Sequence, residues 1–172
     1  SVGVPLLDLH RQYASLRSEI LQAIARVCDS QKFILGEEVE ALENEVSALT
    51  GTAAAVGCSS GTDALWLALL AAGIGPGDGV ITTPFSFFAS TSAIVRVGAR
   101  PVFADVDTRT LNMDPCRVKF KIEGSGAGKF KAILPIHLYG QCADMTTLQD
   151  SAAEFHLSII EDAAQALGAA WG

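Results

Sequence analysis

Long apolar runs are missing from this chain of 172 residues. The longest candidate, around Ala64–Ile74, falls short of the roughly 18 residues a membrane span needs, and Gly73 interrupts it. Basic charge is scarce: 12 Lys and Arg against 19 Asp and Glu leave a formal charge of −7, so there is no basic stripe for nucleic acid. The opening residues lack the basic, apolar and small-residue pattern of a secretory leader. Cys28, Cys58, Cys116 and Cys142 are widely separated, without a CxxC pair, and His10, His137 and His156 do not fall at ligand spacing. These absences argue against a zinc site and for reduced thiols in the cytoplasm. Neither GxxxxGK[ST] nor GxGxxG occurs, which removes the P-loop and the dinucleotide fingerprint. No internal repeat is visible, and no linker divides two domains.

What is present is apolar material: 49% hydrophobic and 18% charged residues, too apolar for disorder and enough for one domain or part of a larger one. Residues 1–50 read as a helical segment. Leu16, Ile20, Ile24 and Val27 recur at helical spacing in Gln12–Val27, as do Val39, Leu42, Val46 and Leu49 in Glu37–Leu49, with Gly51 as a stop. From residue 51 onward, short apolar runs alternate with helical stretches. The expected strands are Ala53–Cys58, Val80–Thr83, Pro101–Val106, Lys131–Leu138 and Leu157–Asp162. The expected helices are Asp63–Ala72, Phe87–Val97, Asp114–Ile122 and Met145–Phe155, with a turn at Glu123–Gly128. That alternation predicts a three-layer α/β/α domain with a mainly parallel sheet and right-handed crossovers. Pro135 cannot donate to a ladder, so its strand is expected to be irregular or partly at an edge. The last residues come after a strand with no covering helix, so a truncated domain is expected.

Ligands of open parallel sheets bind beyond the carboxyl ends of the strands. There, Ser59-Ser60-Gly61-Thr62 joins a strand to a helix. It can cradle an anion on free N–H groups, or Ser60 can simply cap the helix. Asp162 ends an apolar strand, where a buried carboxylate needs a partner. A cationic ligand nitrogen would serve, or the residue is an N-cap for the next element of the chain. Gln165 either reaches the same ligand or faces solvent. Of Phe85, Phe87 and Phe88, beside Ser86, at least two are expected in the core, while an aromatic face there can stack on a planar ring. His137 reads as a hydrogen-bonded structural histidine or a titratable site group. A phosphate cradle, a stacking ring and a buried carboxylate together describe a holder for pyridoxal phosphate (PLP).

The residues resemble the sugar aminotransferases of the DegT/DnrJ/StrS type, within the fold type I PLP enzymes. The likeness runs in order through Val4-Pro5-Leu6-Leu7-Asp8-Leu9, Phe33-Ile34-Leu35-Gly36, Ser59-Ser60-Gly61-Thr62-Asp63-Ala64-Leu65 and Gly75-Pro76-Gly77-Asp78. It continues through Gly98-Ala99-Arg100-Pro101-Val102-Phe103-Ala104-Asp105-Val106-Asp107, Pro135-Ile136-His137-Leu138-Tyr139-Gly140-Gln141 and Glu161-Asp162-Ala163-Ala164-Gln165-Ala166-Leu167-Gly168-Ala169. The resemblance implies that residues 51–172 are the N-terminal part of a PLP-binding large domain. The rest of that domain and a small C-terminal domain would lie outside the chain. It implies that Gly61 and Thr62 bind the phosphate, Phe87 stacks on the pyridine, Asp162 pairs with the ring nitrogen and Gln165 contacts the phenolic oxygen. The implied reaction carries an amino group from an amino acid, commonly glutamate, to a keto group of a nucleotide-linked sugar. The implied assembly is a homodimer, with no membrane or nucleic-acid partner and no metal.

Two stretches depart from the family pattern: Gly79 stands where an acidic residue is usual, and Glu123–Lys129 is atypical. The family's Schiff-base lysine lies beyond the Asp162 motif, and none of Lys32, Lys119, Lys121, Lys129 or Lys131 has a matching context. The chain alone is therefore expected to be inactive. A sugar dehydratase of the same family, with histidine in place of that lysine, is one alternative. A non-catalytic fragment that associates through an exposed sheet edge is another.

Overall fold

The computed structural model describes residues 3–5, 7–126 and 128–172. Leu6 of the first family motif and Ala127 of the expected Glu123–Gly128 turn lie outside the described residues. The chain divides into two compact units, Ser1–Gly57 and Cys58–Gly172.

The first unit holds α1 (His10–Ser30) and α2 (Glu37–Thr50). Gln31 ends α1 in the left-handed region, and Gly51 ends α2 there, donating its N–H to Ser47 O. Glu37, Glu38 and Glu40 complement the positive end of α2. The ion pair Arg26–Glu38 (3.1 Å) ties the two helices together, and Lys32–Glu37 (2.7 Å) ties their connector to α2. Neither helix buries a residue within the chain. The apolar face anticipated on α1 is open, with Leu16, Ile20, Leu21 and Ile24 all exposed. Ala53–Cys58 forms no ladder, contrary to the strand expected there. Val56 is 84% exposed, and the segment's anchor is the Gly57 N–H on Glu43 Oε1 at 2.6 Å. An extended run becomes a strand only when another strand takes its hydrogen bonds, and the described residues of this unit contain no other strand.

The second unit is built on four parallel strands in the order β2-β1-β3-β4: β1 (Gly79–Thr82), β2 (Arg100–Phe103), β3 (Phe130–Ile133) and β4 (Ser158–Ile159). Period-two alternation sends Val80 and Ala132 to one face and Ile81 and Ile133 to the other. On the first face pack α3 (Gly61–Ala71) and α4 (Phe88–Arg96), through Leu65, Leu69, Ala93 and Ile94. On the second pack α5 (Pro115–Ser125) and α6 (Met145–Phe155), through Val118, Ile122, Met145 and Leu148. Three layers result, as the alternation predicts. Asp114 caps α5 with Pro115 at the first helical position, and the Asp144 carboxylate accepts the Thr147 N–H at 3.1 Å at the start of α6.

The ladders are shorter than the apolar runs. β3 stops at Ile133 because Pro135 has no N–H to donate, so the strand is irregular as expected. It is nonetheless interior, between β1 and β4, and not at an edge. The Pro135 carbonyl instead accepts the Asp162 N–H at 2.9 Å, and the His137 N–H reaches Asp162 O at 3.0 Å. The alignment of β3 and β4 thereby continues past both strands as an isolated bridge, Ile136 to Asp162. Between β1 and β3 the register shifts at Gly79, where a Cβ would sit 2.5 Å from Lys129 O. Only glycine accommodates that approach.

Candidate active site

From β1 the chain moves to β2 on one side and then to β3 on the other, so the switch point of the sheet lies between β1 and β3. A cleft of about 210 Å³ opens at this end of the strands. One water needs only about 10–15 Å³, so the space admits a small organic ring. Its walls come from the start of α3 (Gly61, Thr62), the segment after β1 (Ser86, Phe87), Ile136 after β3, and Asp162 and Gln165 after β4. The structure therefore brings all five residues singled out above, Gly61, Thr62, Phe87, Asp162 and Gln165, to one cleft.

At its first turn, α3 shows both readings of the serine–glycine segment at once. Ser60 is the N-cap, its Oγ accepting the Asp63 N–H at 3.2 Å. That cap leaves the N–H groups of Gly61 and Thr62 without a protein acceptor among the described residues. A Cβ on Gly61 would meet no atom within 4 Å, so neither packing nor backbone conformation requires glycine there. Asp63 also takes hydrogen bonds from Ser59 and Ser60 and an ion pair from Arg96 (2.6 Å), whose guanidinium lies 3.8 Å over the Trp66 ring. These contacts hold the Asp63 carboxyl below the usual carboxylate range, the Ser59 hydroxyl contributing most.

Asp162 is 8% exposed. Its Oδ2 accepts the Ser90 hydroxyl at 2.7 Å and its Oδ1 the Ala164 N–H at 3.2 Å, closing a local turn. No helix comes after it among the described residues, so Oδ1 caps only this local turn and Oδ2 is not accounted for by capping. Among the described residues no Lys, Arg or His lies within 4.0 Å of this carboxylate. A buried anion with neutral donors but no counter-charge fits a cationic ligand atom. Gln165 Oε1 accepts the Tyr139 N–H at 2.8 Å, leaving the amide nitrogen as the group it can offer a ligand. Tyr139 itself sits at φ 56°, uncommon for an aromatic residue.

Phe87 is 76% exposed, and Phe85 and Phe88 are exposed as well. The expectation that at least two of the three are core is wrong. They lie between the end of β1 and the first turn of α4, beyond the reach of either core. His137 is structural in geometry: 3% exposed, with Nδ1 accepting the Ala143 N–H at 3.1 Å. That acceptor role places the ring proton on Nε2, which donates to Glu161 Oε2 at 2.7 Å. The contact draws the Glu161 carboxyl below its ordinary value against the opposing effect of burial. Sequence reading missed Ser90 and Asn112. A lone serine in the apolar stripe Ala93, Ile94, Val97 was the available signal for the first. Asn112, which holds Leu138 N–H and the Gln141 and Cys142 carbonyls, carried none.

Compared with known proteins, residues 14–172 match the model of the DegT/DnrJ/EryC1/StrS aminotransferase family. The chain belongs to this family. Over 168 residues it is 48% identical to the pleiotropic regulatory protein of Geobacillus stearothermophilus, covering 98% of this chain and 44% of that protein. It is also 48% identical over 169 residues to the UDP-N-acetyl-3-dehydro-alpha-D-glucosamine 3-aminotransferase of Acidithiobacillus ferrooxidans, covering 98% and 45% respectively. DesV of S. venezuelae superposes with a TM-score of 0.91 at 45% identity, over 96% of this chain and 43% of DesV. NtdA of Bacillus subtilis, solved with bound PMP, gives 0.90 at 34% identity, over 98% and 38%. The DegT/DnrJ chain thus spans less than half the length of the curated relatives it matches. The fold is that of the type I PLP aminotransferases, as the sequence resemblance implied.

Proposed function

We propose that this DegT/DnrJ chain is the cofactor-binding N-terminal part of an enzyme that moves an amino group from an amino acid, glutamate first among them, to a keto group of a nucleotide-linked sugar. The observation that carries the reading is the uncompensated Asp162 carboxylate in one cleft with free helix N–H groups and an exposed aromatic ring. In this reading the Gly61 and Thr62 N–H groups and the Thr62 hydroxyl receive the cofactor's phosphate at the positive end of α3. Phe87 covers the ring face, Gln165 donates from its amide nitrogen, and Asp162 accepts a hydrogen bond from the protonated ring nitrogen. Bound there, PLP would supply an aldehyde carbon to carry the amino group between the two substrates and a ring that withdraws electrons from the reacting carbon. None of the five lysines lines the cleft, so residues 1–172 bind and orient but do not provide the attaching amine. We further propose a homodimer of the full-length protein in the cytoplasm. Four free cysteines and the open apolar face of α1 support this. Among the described residues no helix is long and apolar enough to cross a membrane.

The test uses the full-length protein with PLP, glutamate and a panel of UDP- and dTDP-linked keto sugars. Amino sugar is read by mass spectrometry and 2-oxoglutarate by a coupled assay. Matched formation of both, lost in Asp162→Ala, supports the proposal. Cofactor binding without transfer to any keto sugar overturns it, and loss of water from the sugar would assign the dehydratase chemistry.

A further inference from the structure

Ser90 stands behind the cleft rather than in its wall, on the inward side of α4, with 1% of its surface exposed. A helical serine ordinarily returns its hydroxyl hydrogen to a carbonyl three or four residues earlier. Ser92 does so in the same helix, to Ala89 O at 3.0 Å, and Ser151 does so in α6, to Thr147 O at 3.0 Å. Ser90 instead spends its one hydrogen on Asp162 Oδ2, 72 positions away in the chain. Its neighbours in the buried stripe are Ala93 and Ile94. Alanine would satisfy the packing at this position, so the hydroxyl answers to the carboxylate.

With Ala164 N–H on the other oxygen, each carboxylate oxygen has one internal donor. The group is thus fixed in a single orientation before any ligand arrives, and its charge is stabilised without a neighbouring cation. We propose that Ser90 is a positioning residue that keeps Asp162 aimed into the cleft, so that a proton shared with a ligand's ring nitrogen stays on the ring. The inference rests on the assignment of the cleft to PLP. Without the hydroxyl, Oδ2 loses its one internal donor and the carboxylate can turn, so the hydrogen bond that holds the proton on the ring is lost.

The full-length protein and its Ser90→Ala, Ser90→Thr and Asp162→Asn variants are loaded with pyridoxamine phosphate carrying ¹⁵N in the ring. In parallel they bind the analogue in which CH replaces the ring nitrogen. In Ser90→Ala the ring resonance is expected to move from the pyridinium toward the neutral pyridine position. Ser90→Thr retains the wild-type resonance, and affinity for the analogue without the ring nitrogen stays within about twofold. A wild-type ring resonance in Ser90→Ala overturns the proposal. So does an equal loss of affinity for both ligands, which would make Ser90 a packing residue. If Asp162→Asn shifts the resonance and Ser90→Ala does not, Ser90 alone is misassigned. If neither shifts it, the role of Asp162 fails with it.

Discussion

Substitution of His137 separates its two ring nitrogens. Asparagine places a carbonyl oxygen close to the position of Nδ1 and keeps an acceptor for the Ala143 N–H. Glutamine places its amide near Nε2, keeps a donor for Glu161 and abandons Ala143. The two losses are unequal. Ala143 is fully buried, and its orphaned N–H would cost about 1–3 kcal/mol. The Glu161 side chain is half exposed, so water replaces the lost contact and the loss stays below about 1 kcal/mol. The expected order of destabilisation is therefore asparagine least, glutamine more, and leucine, which loses both contacts, most, at about 1–4 kcal/mol. Hydrogen exchange in the full-length protein reads the effect where it arises. The Ala143 amide should lose about 5- to 150-fold of its protection in His137→Gln and remain close to wild type in His137→Asn. Protection lost in the asparagine variant and kept in the glutamine variant would refute the assignment of acceptor and donor, and with it the tautomer.

The same geometry yields three further outcomes. Because its hydrogen bond from His137 lowers the Glu161 carboxyl in the folded state, this side chain's contribution to stability is complete above its ordinary value of 4.5. It is lost as pH falls through the lower folded value. Acid titration of stability should accordingly be shallower in Glu161→Gln below pH 4.5, and an unchanged limb would contradict the contact. Gly61→Ala should leave thermal stability equal or raise it by up to about 1 kcal/mol, since the new methyl meets open space, while weakening pyridoxamine phosphate binding at least about tenfold. A stability loss with affinity intact would show that the glycine serves the fold instead. Gly79→Ala should destabilise by about 1–3 kcal/mol in a urea titration, because its Cβ falls 2.5 Å from Lys129 O. Gly79 and the segment ending at Lys129, the two departures from the family pattern, meet at that contact.

Helices were legible because their signals are local. The i, i+4 recurrence in α1 and the Asp-Pro start of α5 need nothing from the rest of the chain. The order of elements and the parallel sheet came from alternation alone. Ladder lengths did not, because a strand extends only as far as its neighbour lets it. Ala53–Cys58 is as apolar as Lys131–Leu138 yet pairs with nothing in its unit, and the second run was shortened by its own proline. The cleft was legible where residue types are chemically distinctive, at Gly61, Thr62, Asp162 and Gln165. Phe87 was singled out through the family resemblance, whereas hydrophobicity alone put at least two of Phe85, Phe87 and Phe88 in the core, because it does not reveal that a residue stands past the end of a strand. The partners of Ser90 and Asn112 could not be read locally, because they lie 72 and up to 30 positions away.

The Tyr139 N–H can only give a proton, and by occupying the carbonyl oxygen of Gln165 it settles which end of that amide remains for a guest. This part of the wall turns a hydrogen-bond donor toward the cleft. Among flat heterocycles of equal size it favours those presenting a hydroxylate or carbonyl at that spot over those presenting an amine. A main-chain atom on a neighbouring loop thereby imposes the discrimination, and no side-chain substitution at position 139 other than proline would remove it.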